Sequence, residues 1–309
     1  MTRAAFLQGL RTRLRLLFLL AMVGVLMPLP SRLATDHPTL GWALDLASHW
    51  QWLAVPVALL CAVFAWQGLA RLAALVVLGL GLLGLGWVMP HQAPAAEGPG
   101  PQPLRLVTAN VHVGATEPAA LLAWAREHDA ALILLQEVSP AYAEALARAS
   151  TDYGHQVLEP RDDPFGLAIL SRHPLESTTL VPGPGGIPSL QATVRLPGGP
   201  VPIVVAHPFP PLSAAAHQDR AAFVAGLEAR AAELPTLVVG GDFNASPWSS
   251  AFAGVHHLTL ASRGLPTWYG VLPIDHVLVG PAWARVRAER GPAGTSDHRP
   301  LFVELRRRP

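Results

Sequence analysis

Apolar residues are unevenly distributed along this chain. The first ninety residues contain three nearly uninterrupted apolar stretches, at about 14–30, 50–70 and 72–89, and only two acidic side chains. Each stretch approaches the roughly 20 residues that a helix needs to cross the hydrocarbon core of a bilayer. The pattern therefore predicts a membrane anchor over 1–90 with about three transmembrane helices.

The apolar stretches are followed by a linker and then by a folded domain. Residues 91–103 are rich in Pro, Gly and Ala and lack an apolar period, which is typical of a semi-rigid spacer. From residue 104 onward, apolar and polar positions alternate with the periods of strands and helices. We therefore expect one domain over 104–309, held away from the bilayer by the linker.

Strands dominate the expected secondary structure of this domain. Apolar runs predict strands at 104–109, 131–136, 166–170, 191–196, 202–206, 236–240, 274–279 and 300–305. Helical spacing predicts helices at 118–127, from Ser139-Pro140 onward, and at 214–232. Because strands outnumber helices so strongly, two packed sheets with helices on their outer faces fit better than a doubly wound sheet.

Basic residues indicate an orientation for the anchor. Arg3, Arg11, Arg13 and Arg15 precede the first apolar core, which places the N-terminus in the cytoplasm. Three spans then leave the domain on the opposite, extracytoplasmic side. A cleaved signal peptide is the alternative for the first stretch, but residues 28–33 form a poor small-residue cleavage site. If the first stretch is not a span, the predicted orientation reverses.

Charge and cysteine content restrict the chemistry of the domain. From residue 103 onward, 16 Arg oppose 18 Asp and Glu, which gives a formal net charge of −2. Proteins that bind nucleic acid tightly without sequence preference carry a strongly basic surface, so this balance weakens a nuclease without excluding it. The only cysteine, Cys61, lies in an apolar stretch, so the domain has no disulfide, thiolate zinc site or cysteine nucleophile.

Candidate functional residues occur where the apolar strands end. They are Asn110, Glu137, His207, Asp242, Asn244, Asp275 with His276, and Asp297 with His298. A single Asp or Asn just past a strand is more often a turn former. Strand ends are nevertheless where α/β proteins gather binding groups, so the set as a whole predicts a functional site.

Eight segments, in this order, resemble the endonuclease/exonuclease/phosphatase superfamily, which includes DNase I. They are TANVHVG at 108–114, LLQEV at 134–138, AILSRHP at 168–174, VVAHPFPP at 204–211, GGDFNASPWS at 240–249, PTW at 266–268, IDHVLV at 274–279 and TSDHRPLFVEL at 295–305. GDFN followed by IDH and SDHRP at this spacing is a specific signature. The resemblance covers the whole domain and implies a four-layered α/β/β/α sandwich that hydrolyses phosphate esters with Mg²⁺.

The resemblance also implies catalytic roles. Asp242 would position or deprotonate the attacking water. Asp275 would orient His298 and stabilise its protonated form, and a protonatable imidazole suits acid, base or charge-stabilising work near neutral pH. His207 would protonate the leaving oxygen, although a histidine at a strand end can also simply cap a turn.

Metal and phosphate ligands are implied in the same way. Glu137 and Asp297 offer the hard carboxylate oxygens that Mg²⁺ accepts, and Mn²⁺ would fit the same ligands. Asn110 would join them or, together with Asn244, hold a phosphoryl oxygen without adding negative charge. Arg172 would either touch the substrate phosphate or pair with a surface carboxylate.

The remaining histidines are expected to be structural. His276 should point to the opposite face of its strand from Asp275 and pack inside the domain. His112 stands where some family members carry an acidic metal ligand, which makes a second metal doubtful. The histidines expected at the surface are His155, His217, His256 and His257.

The sequence thus predicts a membrane-anchored, metal-dependent hydrolase of a phosphodiester, phosphomonoester or pyrophosphate. The tether and the slightly negative domain favour a lipid or lipid-linked substrate; a tethered extracytoplasmic nuclease and a non-catalytic membrane receptor or scaffold are the alternatives. The chain is most similar to small bacterial membrane proteins of the superfamily, which implies a multi-pass protein of the plasma membrane. The expected partners are the substrate and the bilayer, with no obligate protein partner evident.

Overall fold

The computed structural model describes residues 2–98 and 100–308, which form two compact units. Unit 1 contains the residues up to Met89, together with Ser213–Ala215 and Trp248–Ala253. Unit 2 contains Pro90–Leu212, Ala216–Pro247 and the residues from Gly254 onward.

Unit 1 is built from apolar helices. They are α1 (Arg3–Leu26), α2 (Pro28–Leu33), α3 (Pro38–Ser48), α4 (Gln51–Ala65) and α5 (Gly68–Val88). Two helical stretches, Arg3–Leu33 and α5, are each long and apolar enough to cross a membrane. The pair α3 and α4, bent by 61°, reaches the required length only when both are counted as one broken span. The described residues therefore contain two to three candidate spans, in line with the three expected.

The middle span differs from the predicted 50–70. Helix α4 ends at Ala65 because Trp66 and Gln67 adopt extended backbone angles. Gly68 then has φ of +55°, a left-handed value that glycine adopts without the steric penalty of other residues. The break falls at Gln67-Gly68, a polar residue and a glycine inside the predicted apolar stretch.

Unit 2 combines helices with two six-stranded sheets. Its helices in the described residues are α6 (Ala119–Glu127), α7 (Pro140–Ala149) and most of α8 (Ala214–Glu233), and a 3-10 turn spans Pro184–Gly186. Its strands are β1 (Leu104–Asn110), β2 (Leu132–Gln136), β3 (His155–Glu159), β4 (Leu167–Ser171), β5 (Leu175–Pro182), β6 (Pro188–Leu196), β7 (Gly199–Ala206), β8 (Val238–Asp242), β9 (Thr259–Leu260), β10 (Asp275–Val279), β11 (Trp283–Arg290) and β12 (Leu301–Arg307). The first sheet has the order β11-β12-β1-β2-β4-β3, and the second has the order β5-β6-β7-β8-β10-β9.

The expected four-layered sandwich is confirmed. Leu, Ile and Val side chains from both sheets form a shared core between them. Helices α6 and α7 cover the outer face of the first sheet, where Leu122 and Leu146 pack in one cluster with Ile133. On the second sheet, Arg230 of α8 donates a hydrogen bond to Gln191 of β6. Burial of apolar faces against neighbouring layers is what stabilises this arrangement.

The strands found by sequence are the interior ones. All eight predicted strands are present, with ends shifted by up to three residues. The four additional strands, β3, β5, β9 and β11, are the edges of the two sheets.

The predicted linker differs from a free spacer in its first half. The amide of Ala93 donates to the carbonyl of Leu260 at 3.0 Å, and that of Ala96 donates to Arg285 at 2.9 Å. Ala93 is also buried in the core between the sheets. Residues near 91–96 therefore belong to unit 2, because their backbone hydrogen bonds are made to the strands β9 and β11.

Candidate active site

Side-chain alternation brings polar residues to one end of the core between the sheets. Leu106 of β1 faces this core, so Asn110, four residues further along the strand, lies on the same face. Asp242 in β8 and Asp275 in β10 are likewise in register with core-facing residues. These two aspartates are direct partners across the antiparallel pair of strands. The site is therefore assembled by interior strands of both sheets.

Glu137 reaches the same place through a reversal of the backbone. Gln136 faces inward, where it donates to the hydroxyl of Thr108 at 3.2 Å, so simple alternation would turn Glu137 outward. Instead, Glu137 has φ of +62°, which is uncommon for a residue with a side chain. Its Oε1 accepts a hydrogen bond from Asn110 Nδ2 at 2.8 Å, and its Oε2 accepts one from the Val113 amide at 2.9 Å.

Three nitrogen groups converge on one carboxylate oxygen. Oδ2 of the buried Asp242 accepts from Asn110 Nδ2 at 3.1 Å. The Nε2 atoms of His207 and His298 each lie 3.6 Å from the same oxygen, just outside hydrogen-bond range. The other oxygen, Oδ1, accepts from the Asn244 amide at 2.7 Å. Asp242 is therefore the point at which Asn110, His207 and His298 come together.

His298 forms a buried pair with Asp275. Its Nδ1 donates to Asp275 Oδ2 at 2.7 Å. Burial alone would lower the pKa of His298, but the carboxylates of Asp275, Asp242 and Asp297 and the hydrogen bond outweigh it and raise the pKa to about 10. Burial also raises the pKa of Asp275, with Asp242 acting in the same direction and His298 against it. The pair therefore retains a proton at neutral pH.

His207 is held in a defined orientation. The carbonyl of Pro164 can only accept, so His207 Nδ1 donates to it at 3.0 Å. This bond leaves Nε2 to face the carboxylates, including Glu137 Oε1 at 4.0 Å. The imidazole is buried, and its ring centroid lies 5.5 Å from that of Phe165. Because Nδ1 is occupied, Nε2 is the nitrogen that can exchange a proton with a ligand.

The loop before β12 is fixed by side chains on both sides. Trp268 Nε1 donates to Asp297 Oδ2 at 2.9 Å. The hydroxyl of Ser296 donates to the Asn110 carbonyl at 2.9 Å and accepts from the His298 amide at 3.0 Å. The predicted ligand Asp297 and the imidazole of His298 are thus positioned by the end of β1.

One trio of the described residues has its ligand atoms close enough together to hold a metal ion, and Glu137 and Asp297 are the ligands predicted from the sequence. Asp242, Asp275 and His298 offer ligand atoms within 4.8 Å of one another. Nδ1 of His298 is already used in its hydrogen bond to Asp275, however, and its Nε2 faces Asp242 at 3.6 Å. Glu137 and Asp297 accept hydrogen bonds but keep further lone pairs, and carboxylate oxygens suit a hard divalent cation.

Arg172 is not brought to this cluster. Strand β4 runs antiparallel to β2 and pairs Ser171 with Leu132, so Arg172 lies at the start of β2, whereas Glu137 follows its end. Five residues of strand separate the two by on the order of 15 Å. Arg172 instead forms an ion pair with Asp129. The predicted contact with the substrate phosphate is therefore not supported, and the alternative pairing with a surface carboxylate is observed.

The other histidines near the motifs have structural contacts. His276 is fully buried and its Nε2 donates to the Ala245 carbonyl at 2.8 Å; burial lowers its pKa to about 4. This matches the packing expected from strand alternation. His112 has φ of +67° and its Nδ1 accepts from the Gly114 amide at 3.2 Å.

The sequence interpretation missed Arg220 and misplaced His217. Both are buried on α8, where His217 was expected to be exposed. Arg220 donates to the carbonyl of Asn244, and its guanidinium lies 3.2 Å from His217 Nδ1. Asn244 itself has φ of +49°, and its Nδ2 donates to the Pro208 carbonyl at 3.1 Å. Arg220 therefore helps to hold the turn that follows Asp242.

A helical spacing in the sequence could have revealed Arg220. It lies on the buried stripe of α8, which continues through Val224, Leu227 and Ala231. Residues at i, i+4, i+7 and i+11 share one face of a helix. The spacing places Arg220 on the buried face, although its charge favours the surface.

Fold and site together define a class of protein. A sandwich of two sheets, with a buried histidine–aspartate pair and separate carboxylates at the ends of its central strands, is the architecture of metal-dependent hydrolases that act on phosphate esters. The chain belongs to the Endonuclease/Exonuclease/phosphatase family, whose sequence profile matches residues 107–298, more than half of its length.

Solved structures show the same fold. An endonuclease/exonuclease/phosphatase from Beutenbergia cavernae DSM 12333 is 22% identical with a TM-score of 0.55, covering 67% of this chain and 72% of its own. D. rerio TDP2 complexed with single-strand DNA product is 17% identical with a TM-score of 0.55, covering 66% and 99%. The Neisseria 3′ phosphatase NExo, bound to product DNA hairpin, is 19% identical with a TM-score of 0.51, covering 65% and 99%. Comparison with curated proteins gives no significant match.

Proposed function

We propose that this chain is a membrane-anchored, Mg²⁺-dependent phosphoesterase that hydrolyses a lipid phosphate, a lipid phosphodiester or a lipid-linked pyrophosphate. The observation that carries the proposal is the convergence of Asn110, His207 and His298 on Asp242 Oδ2, with Glu137 beside Asn110. Such a cluster can hold a water molecule next to a phosphoryl group. Proximity and alignment of this kind are a major source of rate enhancement.

The residues divide the work of hydrolysis. Asp242 would position the attacking water and accept its proton as the new bond to phosphorus forms. His298, kept protonated and oriented by Asp275, would stabilise the negative charge that develops on the phosphoryl oxygens. As the bond to the leaving group breaks, His207 would donate a proton to the leaving oxygen through Nε2.

Carboxylate and amide oxygens would hold the metal. We assign the ligands to Glu137 and Asp297, with Asn110 as a further oxygen donor, and Mn²⁺ would fit the same set. When bound, the ion supplies Lewis-acid stabilisation of charge on the phosphoryl oxygens. Asn244 would add a neutral contact from the turn after β8.

A lipid substrate is favoured by two features of the chain. It carries two to three helices that are apolar enough to cross a membrane. Its domain has a formal net charge of −2 from residue 103 onward, with 16 Arg against 18 Asp and Glu. Anionic polymers such as DNA are normally bound by an excess of positive charge, whereas a lipid is delivered by the bilayer itself.

A tethered nuclease is the second candidate. The D. rerio and Neisseria proteins that share the fold are described with bound DNA. Their likeness supports a nucleic-acid substrate only through the common scaffold, and specificity in such scaffolds resides in the site and its loops.

The test is hydrolysis by the full-length chain in lipid nanodiscs, with Mg²⁺, of DNA, phospholipids and polyprenyl pyrophosphate. We expect activity on a lipid substrate that EDTA abolishes and Mg²⁺ restores. Asp242→Asn and His298→Gln should each lower kcat/KM by about 100-fold or more. Asp129→Asn, a matched change at the opposite end of the first sheet, should retain activity. Cleavage of DNA alone would establish the nuclease. Full activity in both Asp242→Asn and His298→Gln would refute the assigned site.

A further inference from the structure

An apolar pocket of about 350 Å³ lies beside the catalytic cluster. The end of β1, helices α6 and α7, and the loop that precedes Asp297 form its walls. Ala120, Trp124 and Tyr142 contribute apolar surface, and Asn110 and His298 line the same pocket. A ligand that fills the pocket would therefore contact two members of the catalytic cluster.

The walls of the pocket favour an apolar occupant over a second phosphate or a nucleobase. Among the described residues no arginine lines the pocket, and the carboxylate of Glu117 would repel a second phosphate. Trp124 is already packed against the His128 ring, at 4.7 Å between centroids, and Tyr142 is only 2% exposed. These rings do not offer the open faces on which nucleobases stack. A hydrocarbon chain, which has no polar groups to satisfy, fits these walls.

One residue of the pocket wall is hydrogen-bonded to two of the catalytic residues. Ser296, in the pocket wall, donates to the Asn110 carbonyl at 2.9 Å and accepts from the His298 amide at 3.0 Å. A hydrocarbon chain in the pocket would therefore contact the same loop that positions His298. Its attached phosphate would lie next to Asn110 and His298, the two members of the catalytic cluster that line the pocket.

We propose that this pocket binds the hydrocarbon chain of the substrate, next to its phosphate group. The proposal rests on the proposed function and specifies its substrate class as a lipid phosphate ester. The source of the lipid is the bilayer, because the protein carries two to three helices that are apolar enough to cross a membrane. Each methylene that enters the pocket should raise affinity by about fourfold, until the pocket is full.

The experiment measures kcat/KM for a series of alkyl p-nitrophenyl phosphates, from methyl to octyl, with the full-length chain in nanodiscs. We expect kcat/KM to rise steeply with chain length and then level off. Ala120→Trp places an indole in the pocket and should reduce the octyl-to-methyl ratio toward one. Ala147→Trp is the matched control, because Ala147 is also exposed, on α7, but is not among the residues that line the pocket; it should keep the wild-type ratio.

A second measurement separates failure of this proposal from failure of the proposed function. Octyl phosphate and methyl phosphate are titrated, by isothermal calorimetry, into the protein in nanodiscs and into empty nanodiscs. We expect octyl phosphate to bind to the protein more tightly than methyl phosphate and beyond its uptake by empty nanodiscs. If Ala120→Trp weakens this binding, the result supports the pocket even when no ester is hydrolysed. Hydrolysis without chain-length dependence, or octyl binding that Ala120→Trp leaves unchanged, would overturn the pocket assignment while leaving a phosphoesterase in place.

Discussion

A single partly buried carboxylate holds one loop of unit 2. Glu228 on α8 accepts hydrogen bonds from the backbone amides of His256, His257 and Leu258, at 2.6 to 2.9 Å. Burial acts to raise the pKa of Glu228, but these backbone bonds and the His257 side chain outweigh it, so the pKa lies below its ordinary value. The folded state therefore prefers the ionised form of this side chain.

The lowered pKa makes the contribution of Glu228 dependent on pH. A carboxyl whose folded pKa is below its unfolded pKa stabilises the fold above the unfolded value, near 4.5, and loses that contribution as pH falls through the folded pKa. Glu228→Gln should lower the free energy of unfolding by about 1–2 kcal/mol at pH 7. The difference from the wild type should shrink below pH 4.5 in denaturant titrations of the full-length chain. An equal difference in neutral and in strongly acidic buffer would show that the charge plays no part.

Local sequence predicted which polar residues lie close together better than it predicted their surroundings. Asn110, Asp242 and Asp275 could be assigned because each sits in or directly after an apolar strand, where alternation decides the face. Arg172 could not be placed, because its distance from the site depends on the antiparallel pairing of two strands. Arg220 was missed because its charge favours the surface, although its helical spacing places it on the buried face of α8.

At the level of whole elements, the difference between interior and edge strands decided what could be predicted. Interior strands such as β2 and β4 are buried on both faces and therefore appear as continuous apolar runs. The edges lack this pattern. Strand β5 is almost fully exposed, β9 has only two residues, and β5 and β11 are each interrupted by a shift in register. Their strand character comes from pairing with a neighbour.

The pairing of β7 with β8 depends on one glycine. A Cβ added to Gly241 would lie 1.9 Å from the Ala206 carbonyl oxygen, and Gly241 has φ of +157°. No other residue allows the two backbones this approach. The close pairing brings His207, directly after β7, next to Asp242 at the end of β8.

Gly241→Ala should therefore damage both stability and catalysis. Backbone separation of the two strands is expected to lower the free energy of unfolding by about 2–4 kcal/mol. Gly226→Ala is the matched control, because a Cβ there meets nothing within 4 Å in the middle of α8; it should raise stability by about 0.5–1 kcal/mol. Thermal unfolding and hydrolysis rates of both variants provide the comparison. Equal stability of the two variants would mean that the strands can separate without cost.

For the molecule as a whole, the number of membrane crossings determines where the proposed active site lies. With the Arg-rich N-terminus in the cytoplasm, three crossings place unit 2 outside, whereas two return it to the cytoplasm. The pair of α3 and α4, bent by 61°, decides between these outcomes.

Reporter fusions in a bacterial host should resolve the crossing number. We expect alkaline phosphatase fused after Arg308 to be active and green fluorescent protein at the same position to be dark. Fusions after Gln67 should show the reverse, since two crossings would return the chain to the cytoplasm. Fluorescence after Arg308 would mean that α3 and α4 do not cross, and the proposed extracytoplasmic site would be wrong.

The edge strands of the two sheets affect how readily copies of the protein associate with one another. Proteins anchored in one bilayer meet repeatedly in the same orientation, which favours lateral association through any flat, open strand. On β11, residues 94–96 already bond to the backbone of Arg285, and Arg287 and Arg290 lie along the rest of an irregular edge. Strand β5 ends at Pro182, which has no N–H to donate. Charge, proline and irregular register are the features that oppose strand-to-strand pairing. If copies share a membrane, as proposed, these features should oppose the extension of one copy's sheet by another.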